Sequence, residues 1–119
     1  LENITTNSKE FNKIALPTSE GYDLVKINSI IYCQSENSYS HIYTVKGKHY
    51  LMSKTLKYVE ELINSNVFVR THKSYLVNLN YVEKFDKVND LSVTLVNNEQ
   101  IPVSVRKKEL LLKAILPNK

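Results

Sequence analysis

Residues 68–85 read FVRTHKSYLVNLNYVEKF. Phe68-Val69 and Tyr75-Leu76-Val77 are apolar and favour strands, and between them lies a polar stretch, Arg70-Thr71-His72-Lys73-Ser74. Such a run is not one uniform strand. Its ends anchor in a core, and its centre is expected to surface as a bend. Hydrogen-bond donors of different length on a loop held at both ends lose little entropy on binding, which makes a recognition device. Taken alone, the same five residues also fit an ordinary exposed turn.

The pattern extends in both directions. Short runs rich in Ile, Val, Tyr and Thr predict strands near 13–17, 22–26, 30–35, 39–45, 48–53, 67–70, 75–77, 81–86, 91–96 and 100–105. Turns are expected at Glu36-Asn37-Ser38, Lys46-Gly47, Asn89-Asp90 and Asn97-Asn98. With only two glycines in the chain, asparagine must supply most left-handed turn residues. Two segments carry helical spacing instead. In 54–63, Leu56, Val59 and Ile63 share a face with Leu62 beside them, Ser53 or Thr55 caps the start, and Asn64 or Asn66 ends it. In 107–116, Leu110, Leu111, Ala114 and Ile115 share a face, and Pro117 stops the helix. The expected fold is mostly β: antiparallel strands in small sheets, with one short internal helix and a C-terminal helix. In 100–105, alternation predicts Ile101, Val103 and Val105 inward, with Ser104 and Arg106 together on the solvent face. Pro102 lacks an amide donor, which places this strand at an edge or turns that backbone position outward.

A chain of 119 residues, 42% hydrophobic and 24% charged, suits one globular domain. We expect 1–12, polar and aperiodic, to be a linker or frayed terminus, and 13–119 to be the domain. No apolar run reaches the roughly 20 residues of a bilayer span. The lone Cys33 cannot form an internal disulfide, and no CxxC pair exists, which suits a reducing, cytoplasmic compartment. Three histidines and one cysteine are thin material for zinc, and no cofactor is expected. Catalysis is disfavoured. Cys33 lies in an apolar strand (IIYC) and should be a buried, unreactive hydrophobe. Gly21 and Gly47 are isolated, so there is no glycine-rich phosphate loop, and Glu60-Glu61 point apart on a helix.

The net charge of +4 is localised: residues 101–119 hold five basic residues against Glu109, while 1–100 balance. A basic end fits a polyanion or a solvated lysine face. Further polar bends occur at 36–41 (ENSYSH), where Asn37, Tyr39 and His41 present donors, and at Ser104-Arg106-Lys107-Lys108. The chain has 14 lysines and two arginines, Arg70 and Arg106, and each arginine lies in such a bend. A guanidinium fork matches phosphate or a guanine edge, so these two are placed for geometry.

Together, FVRTHKSYLVN and the later IPVSVRKKEL resemble the LytTR-type DNA-binding domain of bacterial response regulators. That family's signature runs F-x-R-x-H-[RKN]-S-[FY]-[LIV]-V-N, followed by an [IL]-P-V-S-R-like end leading into the last helix. Phe68, Arg70, His72, Lys73, Ser74, Tyr75, Leu76, Val77 and Asn78 match the first block, and Pro102, Val103 and Ser104 the second. Upstream, residues 30–63 resemble the family's strand pair, hairpin and short helix. The resemblance covers roughly 13–116. It implies antiparallel strands in small sheets and insertion of loops into successive major grooves of double-stranded promoter DNA. By position, the base-contacting loops fall on Tyr39, Lys73 and Arg106. Some members have histidine in place of Tyr39, and asparagine or arginine in place of Lys73, so the target sequence does not carry over.

Ser74, Ser104, Asn37 and Lys107 are suited to phosphates. His72, Arg70 and Asn78 are expected to shape the loop. The resemblance also implies binding to direct repeats, a second copy on DNA, and an upstream receiver domain that these residues do not contain. The alternative is an RNA or other polyanion module. An RNA reader needs exposed aromatics at strand centres, whereas the eight tyrosines fall mostly in apolar runs.

Overall fold

The computed structural model describes residues 11–88 and 91–116. Ten strands form three antiparallel sheets: β1 (Lys13–Thr18), β2 (Gly21–Lys26), β3 (Ile30–Glu36), β4 (Tyr39–Thr44), β5 (His49–Met52), β6 (Phe68–His72), β7 (Tyr75–Asn78), β8 (Val82–Asp86), β9 (Ser92–Leu95) and β10 (Gln100–Pro102). Helix α1 (Leu56–Ile63) joins β5 to β6, and α2 (Lys108–Ile115) follows β10. The central sheet runs β5-β4-β3-β7-β6, a second sheet runs β10-β9-β8, and β1-β2 is a hairpin.

The central sheet is covered on both faces. One face packs with the β1-β2 hairpin and α1 around Leu16, Ile30, Cys33, Ile42, Val59 and Leu76. The other packs with the β8–β10 sheet and α2 around Tyr32, Val77, Val93, Leu95, Ile101 and Leu111. Double coverage explains why β3 is a continuous apolar run rather than an alternating one. A register shift between Ile30 and Tyr32 lets Ile30 and Cys33 serve one core, and Ile31 and Tyr32 the other.

The local punctuation agrees with the residues. Asn37, Asn98 and Gly47 have positive φ in their hairpin turns. Asn64 ends α1 in the left-handed region, and the Thr55 side chain accepts the Tyr58 amide at its start. The expected Asn89-Asp90 turn and the Pro117 stop lie outside the described residues, as does most of the expected 1–12 linker. Cys33 is fully buried.

Three expectations need correction. First, the strand expected over 100–105 ends at Pro102, and residues 105–107 form a single 3-10 turn. Val103 is buried, but Val105 is 79% exposed rather than inward. The Ser104 amide leaves the ladder to donate to the Thr71 carbonyl at 2.8 Å, at the register shift between Arg70 and His72. Ser104 and Arg106 therefore do not alternate on one strand face. Pro102 does lie on an edge strand. Second, the inward face of α2 is Leu111 with Ile115, while Leu110 and Ala114 are exposed; the 3-10 turn resets the helix phase. Leu62 of α1 is likewise 40% exposed. Third, only Lys73-Ser74 forms the bend in the signature stretch. Arg70, Thr71 and His72 belong to β6, and Thr71 is fully buried.

Candidate nucleic-acid interface

The β6–β7 turn is built by its own neighbours. His72 Nδ1 accepts the Ser74 amide at 3.1 Å, which leaves Nε2 to carry the ring hydrogen. Arg70 spans the turn from below. Its Nη2 donates to the Lys73 carbonyl at 2.9 Å, and its Nη1 to Glu60 Oε1 of α1 at 2.9 Å. His72 and Arg70 thus shape the turn as expected. Asn78 does not. It sits at the far end of β7, where its amide donates to the Ile30 carbonyl and its Oδ1 accepts the Asn80 amide. That ties β3 to the next 3-10 turn.

The β3–β4 turn stands beside this one. The Ser35 amide donates to the Ser74 carbonyl at 2.9 Å, so Asn37 and Tyr39 emerge at the same end of the central sheet as Lys73. Asn37 is exposed, with φ 57°, and Tyr39 is 46% exposed. On β4, His41 bonds Glu36 at 2.6 Å and His49 of β5 at 2.7 Å, so its ring belongs to the sheet rather than to the turn.

The third segment meets the second across a groove. A concavity of about 830 Å³ is lined by Arg70, His72 and Lys73 from β6 and its turn, by Ser104, Arg106 and Lys107 from the β10–α2 connection, by Leu110 and Ala114 from α2, and by Lys57 and Glu60 from α1. Residues far apart in sequence thereby face one hollow. Arg106 and Lys73 are exposed, while Ser104, Lys107 and Ser74 are half-buried. Lys57 was missed from sequence because it sits on a helix far from either signature block; its spacing carries no hint that α1 borders the groove. Leu110 and Ala114 line the groove because they face away from the core.

Arg106, Lys107 and Lys108 crowd the N-terminal end of α2, with only Glu109 opposing them. The helix dipole is already positive there, so basic residues at this end oppose local stability. A polyanion laid against the same end would relieve the strain of this charge. Among the described residues, no three histidine, cysteine, aspartate or glutamate side chains are grouped to hold a metal. No helix among them is long and apolar enough to cross a membrane. In the second core layer Tyr32 stacks on Tyr43 and meets Tyr75 at a tilt; Tyr32 is buried and the other two are half-buried.

Residues 20–116 match the model of the LytTr DNA-binding domain family. The chain is 28% identical over 95 residues to the sensory transduction protein LytT of Bacillus subtilis, an alignment covering 78% of this chain and 39% of that protein. It is 33% identical over 97 residues to the heme-containing CO-sensing transcriptional regulator RcoM 2 of Paraburkholderia xenovorans, covering 78% of this chain and 35% of that protein. The chain thus spans about two fifths of the length of these relatives. The fold is similar to that of the LytTr DNA-binding domain of a Bacillus cereus response regulator, with TM-score 0.75 and 21% identity over 87% of this chain and 96% of that one. A family match over most of the chain, on a fold similar to that of a solved LytTr domain, makes this protein a member of the LytTr DNA-binding domain family.

Proposed function

We propose that this chain binds double-stranded DNA sequence-specifically at bacterial promoters, as the output domain of a two-component response regulator in the cytoplasm. The observation that carries the reading is the basic groove in which Lys73 and Arg106 come together with Ser104, Lys107 and His72. Arg106 supplies a bidentate fork for guanine O6 and N7, and Lys73 a point donor to a major-groove acceptor. Tyr39, on the neighbouring turn, packs on a thymine methyl or donates to phosphate. Asn37, Ser74, Ser104 and Lys107 hold phosphates and set the register. His72 holds its turn through the Ser74 amide and lines the groove. Promoter sites arranged as direct repeats would seat a second copy alongside the first.

Readers and positioners separate by mutation. Arg106→Ala should cost about 1–3 kcal/mol on a duplex that the wild-type chain selects from a random pool, and should relax choice at one base position. Lys107→Ala should weaken selected and scrambled duplexes alike, and make the salt slope of log affinity shallower by roughly one unit. Equal losses on both duplexes for Arg106→Ala would reduce Arg106 to a phosphate clamp. Tighter binding of single-stranded RNA than of any duplex would sink the DNA reading in favour of the RNA one.

A further inference from the structure

Glu60 is the acidic side chain among the described residues that line the groove, and it shares that surface with Lys57, Lys73, Arg106 and Lys107. A carboxylate beside a polyanion is repulsive, so charge alone argues against its presence. The Arg70 hydrogen bonds give it a reason. One guanidinium nitrogen donates to Glu60 Oε1 and another to the Lys73 carbonyl, each at 2.9 Å. The guanidinium is a rigid planar fork, so anchoring one nitrogen sets the direction of the other. Glu60 is itself well anchored. Its neighbour Val59 and the nearby Ile63 are buried, and α1 is capped at both ends. Rigidity thus runs from the core through α1, Glu60 and Arg70 to the backbone of Lys73, whose exposed side chain leaves from the same residue.

We propose that Glu60 is a positioning residue for DNA recognition, acting through Arg70 to hold the Lys73 turn in its aim. Its charge at the same time repels any duplex, so it lowers general affinity while raising discrimination. The inference rests on the reading of Lys73 as a base contact.

The test uses the full chain, a duplex selected by wild type and a scrambled duplex. Glu60→Gln should bind the scrambled duplex as tightly as wild type or more so, while the selected-to-scrambled affinity ratio falls about tenfold. Arg70→Lys keeps the charge but replaces the rigid planar fork with a rotatable ammonium that fixes no direction, and its ratio should fall in the same way. In a Lys73→Ala background, Glu60→Gln should no longer change the ratio, because nothing is left to aim. Equal tightening on both duplexes, or an undiminished effect in the Lys73→Ala background, overturns the proposal. Independently of DNA, Glu60→Gln should lower hydrogen-exchange protection at the Ser74 amide while leaving the thermal transition cooperative. Unchanged protection there overturns the strut even if the DNA reading stands. If wild type fails to discriminate between duplexes, the DNA reading falls and the exchange measurement alone decides the strut.

Discussion

Cys33 shows how much one position owes to its layer. It lies in the central sheet with apolar packing on both sides and no exposed surface. Burial pushes its thiol up from near 9 to about 12. The sign follows from linkage. The folded chain holds the neutral thiol, so its stabilising share is complete below about pH 9 and is lost as pH rises toward 12. In that window stability should fall by about 1.4 kcal/mol per pH unit for this one group. Denaturant midpoints at neutral and alkaline pH should therefore fall less for Cys33→Ala than for wild type, though the variant starts lower because of the cavity. Equal alkaline slopes would show that the thiol is not isolated from water. Thiol reagents should react with the native chain only as fast as it opens. This residue was legible in sequence because its neighbours Ile30, Ile31 and Tyr32 are all apolar. Arg70 was legible in kind but not in partner, since nothing in the spacing of Glu60 and Arg70 says that a helix and a strand will meet.

At the scale of elements, the β1-β2 hairpin is fastened to the central sheet by apolar packing and by one polar tie. The Tyr50 hydroxyl of β5 donates to Asp23 Oδ2 of β2 at 2.7 Å, and Lys48 Nζ lies 3.5 Å from the same oxygen. The Tyr50 hydrogen bond, assisted by the Lys48 charge, holds the Asp23 carboxyl below its ordinary range despite some opposing desolvation. A depressed carboxyl stabilises the fold above about pH 4, and that contribution is lost as pH falls through the folded value. Protection factors of the β1-β2 amides should drop in acid for wild type. In Tyr50→Phe they should start lower at neutral pH and change less on acidification. An acid response of Tyr50→Phe equal to that of wild type would rule out the tie. Helix α1 was legible from its spacing, with its caps narrowed to Ser53 or Thr55 and Asn64 or Asn66; the structure uses Thr55 and Asn64. The strand expected at 100–105 was not, because the Ser104 amide is claimed by the Thr71 carbonyl of a distant strand. Alternation reports which side chains are apolar; it does not report where a backbone amide finds its partner.

For the whole molecule, one sheet is shared by two cores. Adjacent β7 residues Leu76 and Val77 are both fully buried, one in each core. Loss of either layer would leave a face of the central sheet in water, so the layers should unfold together. Leu76→Ala should cost about 2–5 kcal/mol. It should lower the exchange protection of β9, in the opposite layer, as much as that of β2 in its own. A β9 that stays protected while β2 melts would mean that the two layers are independent units. The same arrangement brings the turns together. The β3–β4 and β6–β7 turns leave the same end of the central sheet, and the β10–α2 connection reaches β6 through Ser104.

By itself, the sequence determined what depends on near neighbours or on fixed spacing. It specified strand periodicity, asparagine and glycine turns, the α1 helix with two candidates for each cap, the buried cysteine, the localised charge and the two signature blocks that identify the family. Those features arise from backbone preferences and side-chain chemistry acting within a few residues, so a linear reading captures them. Only the tertiary structure decided that Val105 faces water, that Leu110 and Ala114 line a groove, that Asn78 serves β3 rather than the recognition turn, and that Glu60 anchors Arg70. Each of these depends on a partner more than eight residues away or on the phase of a helix after a 3-10 turn. Such choices are settled by which buried groups must be satisfied once the layers are packed, and no local preference encodes that.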